Sequence, residues 1–261
     1  MSAPFPDTAT VQAALSLADR APSMHEPPPW RWHVDDNRLH LYADSGARSH
    51  ADPDGRDRVV SCGASLHHCV IALAALGWRA RVRRLPDPTD PGHLAALEVC
   101  PEPATADDVA LADAARRRTT DRGPYRDRPV PVTTIAAIAS RLTPWGVTVR
   151  EVHSVSRVRS VVAGVNAPSG GTTGLVDELD GAEDHTVLLT LGTANDRALA
   201  RLHSGEATSL ILLRATMAGL STCAMTRPFE FADTREIVQR EAFNDRASPQ
   251  VLVRIGWPAR G

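Results

Sequence analysis

The stretch Ala21-Pro22-Ser23-Met24-His25-Glu26-Pro27-Pro28-Pro29-Trp30-Arg31-Trp32 decides how the rest of the chain is read. Three consecutive prolines fix φ and remove three backbone donors, so this stretch is an extended, non-helical loop. Before it, Val11, Ala14, Leu15 and Ala18 fall on one face of a helix that Asp7 or Thr8 can cap and that runs to about Arg20. After it, Trp30, Trp32 and Val34 alternate with Arg31 and His33, and Leu39 and Leu41 alternate with His40 and Tyr42. Asp35 to Arg38 joins the two runs as a turn, which predicts a β-hairpin. A rigid loop anchored by two tryptophans entering the core is a suitable wall for a flat ligand.

Working outward, the pattern predicts a mixed α and β chain. A helix is expected from about Gly63 to Leu76, stopped by Gly77, followed by strands over Trp78 to Leu85 and Leu94 to Val99. Pro101-Glu-Pro103 reads as a linker, and Ala106 to Arg117 as a helix. Ile135, Ile138, Ala139 and Leu142 mark another helix, with Thr133 or Thr134 as its cap, and Val147 to Val152 a strand. The spacing of Val155, Val158, Val162 and Val165 predicts a helix, and residues 166–184 a glycine-rich and acidic surface loop. Thr186 to Leu191 is a continuous apolar run, expected as a strand buried on both faces. Gly205 to Ala218 reads as a long helix stopped by Gly219, Asp233 to Glu236 as a capping box, and Gln250 to Trp257 as a closing strand.

Composition narrows the function classes. The 261 residues are 43% hydrophobic and 23% charged, enough for one large domain or two small halves. A net charge of −2 argues against nucleic-acid partners and acidic membranes. The sequence shows no apolar run of the length a membrane span needs, and the N-terminal residues lack the features of a secretory signal. Cys62, Cys69, Cys100 and Cys223 form no CxxC pair, so free thiols in a reducing cytoplasm are expected.

The two predicted long helices share a frame. Gly63 to Gly77 and Gly205 to Gly219 begin and end on glycine at equal spacing, and each is followed by a strand, which suggests two copies of one unit. At this point several motifs together resemble the nitroreductase superfamily. These are Ala21-Pro22-Ser23 with Pro29-Trp30-Arg31-Trp32, Arg117 to Tyr125, Gly219-Leu-Ser-Thr-Cys223, and Pro249 to Pro258. The chain is most similar to the Acg-type branch, in which one chain carries two degenerate halves.

The resemblance implies an α+β fold of two halves, 1–103 and 104–261, forming an intrachain pseudo-dimer, so that the protein is a monomer. It implies FMN as cofactor at the interface of those halves and NADPH or NADH as reductant. It implies a small electron-poor substrate, nitroaromatic or quinone-like. Arg118 and Thr120 are expected at the FMN phosphate and ribityl chain, and Arg122 near the flavin's pyrimidine edge, where guanidinium groups suit anionic partners. Residues 118, 120 and 122 can share one side if the segment is extended. Met225, Thr226 and Arg227 are expected beside the flavin, and Ser23 and His25 in the loop that contacts it.

Some positions depart from the family. Glu26 and Pro28 stand where the family loop carries Asn and Gln, and proline offers no side-chain donor. The stretch 166–184 takes the place of a longer lid, and Arg260 that of a basic tail. These changes leave open a second reading, a non-catalytic homologue that binds or stores flavin. His25 beside Glu26 is compatible with acid–base work or with no role. Cys62, His67, His68 and Cys69 match no common zinc spacing, and the imidazoles are expected to be partly exposed. No catalytic residue is assigned, and no metal is expected.

Overall fold

The computed structural model describes residues 4–35, 37–44, 52, 54–152, 186–230 and 232–259. The expected helix over 155–165, the loop 166–184 and Arg260 lie outside these residues. The chain forms two compact units, Met1–Arg118 with Arg201–Leu213, and Thr119–Ala200 with Arg214–Gly261. Both mix helices with antiparallel sheet, so the fold is α+β.

In the first unit, α1 (Thr8–Ala18) is capped by Asp7, whose carboxylate accepts from the Thr10 N–H at 2.8 Å. Its buried face is Val11, Ala14, Leu17 and Ala18, with Leu17 in the place expected for Leu15. The proline loop leads into β1 (Trp30–Asp35), which pairs with β2 (Arg38–Ala43) in the expected hairpin, Trp30 opposite Ala43 and Asp35 opposite Arg38. Leu39 and Leu41 are fully buried, but Val34 at the hairpin tip is exposed. Strands β3 (Trp78–Arg84) and β4 (His93–Pro101) complete a four-stranded antiparallel sheet in the order β1-β2-β4-β3. Arg79, Arg81 and Arg83 lie on the solvated face of β3, as their alternation predicts. Helix α3 (Ala106–Arg117) begins with a capping box between Thr105 and Asp108.

Helix α2 (Arg56–Ala75) begins seven residues before the expected Gly63. The Asp52 carboxylate accepts from the N–H groups of Asp57 at 3.2 Å and Arg58 at 3.0 Å, which satisfies the helix start from outside the apolar repeat. Cys62, His67 and His68 are therefore well inside the helix, and all three are buried, against the expected helix-start cysteine and partly exposed imidazoles. By length and composition α2 could cross a bilayer, contrary to the sequence expectation, yet most of it is buried in protein.

The second long helix, α5 below in chain order, spans Ala198–Met217, also 20 residues and also starting seven before its glycine. Its central residues, Arg201–Leu213, belong to the first unit, where they cross α2. A Cβ on Gly63 would lie 2.1 Å from the Leu202 carbonyl oxygen, and a Cβ on Gly205 would lie 2.0 Å from that of Val60. Val60 and Leu202 occupy the same position in their helices, as do Gly63 and Gly205, so the contact is reciprocal, as in a two-fold interface. Arg84 of β3 forks onto the buried Glu206 carboxylate at 2.8 and 2.6 Å. Gly77 (φ +85°) and Gly219 (φ +75°) end the two helices in the left-handed region that L side chains avoid.

The second unit contains β5 (Tyr125–Arg126), α4 (Val132–Ala139) with a 3₁₀ continuation over Ser140–Trp145, β6 (Thr148–Glu151), β7 (Val187–Thr193), β8 (Ser221–Met225), α6 (Ala232–Phe243) and β9 (Ser248–Pro258). Its sheet follows the order β5-β9-β7-β6, with β8 also paired to β9. Residues Leu188 to Thr193 of β7 are buried, as the continuous apolar run predicts. Helix α4 starts after Pro131 with no side-chain cap, so Thr133 and Thr134 sit inside it. Helix α6 already includes Ala232, which places Asp233 in the first turn and not at the cap. Val152, Leu188, Cys223, Met225, Phe229, Val238, Phe243 and Leu252 pack as this unit's core.

Candidate functional site

The proline loop is fixed to α2. The Met24 N–H donates to Ser61 Oγ at 3.1 Å, the Cys62 thiol approaches the Pro29 carbonyl at 3.5 Å, and the Trp32 indole donates to Ser65 Oγ at 3.1 Å. Residues 61, 62 and 65 share one face of the helix, so a single turn of α2 anchors the loop at three points. The Trp30 indole donates to Asp19 at the end of α1 at 2.9 Å. Trp30 is buried and Trp32 half-buried, so only the first tryptophan enters the core in full.

Within the loop, Ser23 Oγ donates to the His25 carbonyl at 2.8 Å and lies 3.1 Å from the His25 N–H. That hydroxyl shapes the loop itself. His25 Nε2 lies 3.4 Å from the buried Asp52 carboxylate. Burial alone would raise the Asp52 pKa, but the His25 imidazole beside it and the hydrogen bonds from the Arg58 and Asp57 N–H groups outweigh it and hold the carboxyl below its usual range. Glu26, Pro27 and Pro28 are exposed.

Arg118 closes the first unit. Its guanidinium donates to the Arg20 carbonyl at 3.1 Å, and the Arg20 side chain donates to the Arg116 carbonyl at 2.7 Å. Burial and then the Arg20 charge pull its pKa down. Nearby in the same unit, His67 Nδ1 lies 2.8 Å and His68 Nδ1 2.9 Å from Ser209 Oγ. Burial pushes the His68 pKa down to about 3, so its imidazole is neutral at physiological pH.

In the second unit, residues 120–125 alternate as an extended segment should. Asp121, Gly123 and Tyr125 are half-buried, whereas Thr120, Arg122 and Pro124 are exposed. Thr120 makes a parallel bridge to Thr222, and the Asp121 N–H donates to the Thr222 carbonyl at 3.0 Å. Met225 ends β8, three residues beyond Thr222, or about 10 Å at the rise of an extended strand. Strand β8 thus pairs near one end with Thr120 and Asp121, and at the other leads through Met225 into Thr226 and Arg227. Met225 and Thr226 are buried, and Arg227 is exposed.

Behind this segment lies Arg254 of β9, fully buried. Its Nη2 donates to the carbonyls of Gly123 at 2.8 Å and Asp121 at 3.3 Å, and its guanidinium carbon sits 4.4 Å from the Tyr125 ring centroid. Among the described residues, Arg254 Nε and Nη1 have no hydrogen-bond partner. Sequence reasoning missed Arg254, and it missed Asp52. A lone charge inside the apolar run Val251 to Ile255 was the available signal for the first, and an aspartate just ahead of a long helix for the second.

The donor chemistry of the second unit fits a flavin mononucleotide. Arg122 and Thr120 are presented outward, with a buried guanidinium behind them of which Nε and Nη1 have no partner among the described residues, a combination suited to a phosphate. The proline loop itself offers few donors, because Ser23 is engaged internally, Glu26 is a carboxylate and Pro28 has no donor.

No family model matches the chain. It is 41% identical over 302 residues to a Mycobacterium tuberculosis protein provisionally named an NAD(P)H nitroreductase, covering 98% of this chain and 88% of the relative. It is 32% identical over 298 residues to the Acg protein of the same organism, provisionally named likewise, covering 95% and 89%. Among solved structures, a nitroreductase with bound FMN from Desulfitobacterium hafniense overlaps 58% of this chain and 90% of its own, with 14% identity and a TM-score of 0.49.

Proposed function

The chain belongs to the nitroreductase superfamily, in its Acg-type branch, and on that premise we propose that it is an FMN-dependent NAD(P)H oxidoreductase of nitroreductase type. Its substrates are small electron-poor compounds, nitroaromatic or quinone-like, and its reductant is NADPH or NADH. The names of relatives that match nearly the whole chain support the activity. The observation that carries the cofactor assignment is the outward pair Thr120 and Arg122 on an extended segment backed by buried Arg254.

Bound FMN supplies two-electron chemistry between a nicotinamide and an acceptor. The chain's own residues bind and orient it. Arg118, expected at the phosphate, is turned onto the Arg20 carbonyl and fixes the end of α3, so the phosphate and ribityl groups fall to Thr120 and to Arg122, which was expected at the pyrimidine edge, and Met225-Thr226-Arg227 forms the second contact. The loop from Ser23 to Trp32 is pinned on α2, with His25 Nε2 3.4 Å from the Asp52 carboxylate. The four cysteines are free thiols, in keeping with work in the cytoplasm.

The test is titration of purified protein with FMN, followed by visible flavin absorbance and fluorescence, then NADPH and NADH oxidation with nitroaromatic and quinone acceptors. A yellow, reducible complex is expected. Arg122→Ala removes a charged contact of about 1.5–3 kcal/mol and is expected to weaken FMN binding roughly 10- to 100-fold. Protein that stays colourless at saturating FMN overturns the reading. A second reading, a flavin-binding homologue without turnover, is favoured by the internally engaged Ser23 and exposed Glu26. A yellow protein that oxidises neither nicotinamide would establish it.

A further inference from the structure

We propose that Arg254 is a positioning residue that holds the backbone from Thr120 to Gly123, and with it Arg122, in the conformation that receives a phosphorylated flavin. This rests on the FMN reading given above. Arg254 touches the two carbonyls that flank Arg122, those of Asp121 and Gly123, with the same Nη2 nitrogen. The Tyr125 hydroxyl donates to the Asp121 carbonyl as well, at 2.9 Å. The Asp121 side chain accepts from the Gly123 N–H at 3.0 Å. The peptide groups on either side of Arg122 are therefore tied down, while its side chain is left outward.

The strand is built to admit this arrangement. Arg254 and Gly256 lie on one face of β9, two residues apart. A Cβ on Gly256 would come within 2.4 Å of the Tyr125 ring, so the missing side chain is what lets that ring lie over the strand. The ring in turn covers the Arg254 guanidinium. Strand neighbours Val251, Leu252, Val253 and Ile255 are apolar and fully buried, and an apolar residue at 254 would complete the same core without charge. An arginine there is expensive, because no carboxylate pairs with it among the described residues and two of its nitrogens lack partners. Two features offset that cost. The two bonds from Nη2 fix a backbone that β pairing alone does not reach, and the positive charge behind Arg122 favours an incoming dianion.

The experiment compares wild-type protein with Arg254→Lys and Tyr125→Phe. Amide hydrogen exchange over residues 119–125 is measured in flavin-free protein, thermal unfolding is recorded, and FMN and riboflavin are titrated separately. Lysine keeps the charge but lacks the planar guanidinium that sets the terminal nitrogen between the two carbonyls and under the Tyr125 ring, so Arg254→Lys is expected to speed exchange in this segment and to weaken FMN about 10-fold, the effect of one charged hydrogen bond, with riboflavin affinity nearly unchanged. Tyr125→Phe, which removes one bond to the Asp121 carbonyl and keeps the ring, is expected to shift both readouts the same way by a smaller factor. Should Arg254→Lys not fold, Tyr125→Phe decides by the same criteria. A folded variant with unchanged exchange and unchanged FMN affinity overturns the proposal, as does equal weakening of FMN and riboflavin, which is what a merely structural residue would give. Wild-type protein that binds neither flavin overturns the FMN reading itself, and is thereby told apart from a failure confined to Arg254.

Discussion

Asp52 joins two functions in one carboxylate, closing the start of α2 and holding His25 of the proline loop. Its folded pKa is depressed, so the stability it contributes is fully present above the ordinary aspartate value of 3.8 and is lost as pH falls through the lowered value. Asp52→Ala is expected to cost about 1–2 kcal/mol near neutral pH, the range of a lost helix cap, and to flatten the acid limb of stability. Urea unfolding at neutral and acidic pH checks both. His67 and His68 show how residue-scale reading errs. Helical spacing placed them on the flank of an apolar face, but with α2 crossing residues 201–213 both sides of the helix are covered, and Ser209 takes the two imidazoles. Sequence reports the side of a helix a residue lies on, and not how many neighbours press on that helix.

The correspondence of α2 and α5 was legible in the glycine spacing, whereas their contact and their true beginnings were not. The missed turns, 56–62 and 198–204, interrupt the apolar pattern with Arg, Asp, Ser and His, and they have outside partners such as Asp52, and Asp54, whose carbonyl accepts from Arg201 at 3.0 Å. Gly63→Ala or Gly205→Ala tests the crossing. Alanine gains about 1 kcal/mol of helix propensity. The added methyl would stand near 2 Å from a carbonyl oxygen of the facing helix, and overpacking of that kind costs about 1–3 kcal/mol or more. The clash wins, and each variant is expected to lose about 2 kcal/mol in chemical denaturation. A neutral or stabilised variant would show that the helices do not meet at these glycines. Strand β9 gave a different lesson, since its apolar pattern predicted the element and hid the one residue, Arg254, that links it to Arg122.

For the molecule as a whole we propose that residues 1–103 and 104–261 are the two copies of the duplicated unit, the second taking the place of a partner subunit. The reciprocal contact of α2 with α5 supports this, because such symmetry between non-identical helices is expected when one chain carries both sides of a two-fold interface. The protein is therefore expected to be monomeric in solution at micromolar concentration, with or without FMN. Light scattering that returns a stable dimer would count against the duplication.

By itself the sequence determined the class of the fold, most of its elements and the family. Those depend on local periodicity, turn chemistry and short motifs, which are properties of neighbouring residues. It also placed Thr120 and Arg122 on one side of an extended segment, because alternation is a backbone property. Only the tertiary structure decided which polar groups have partners. Ser23 is engaged inside its own loop, Asp52 serves both a helix and a histidine, and Arg254 reaches across 133 residues of chain to the Asp121 carbonyl. Hydrogen bonds and burial are made between residues distant in sequence, and no local pattern encodes the distance across which a buried guanidinium finds its carbonyl.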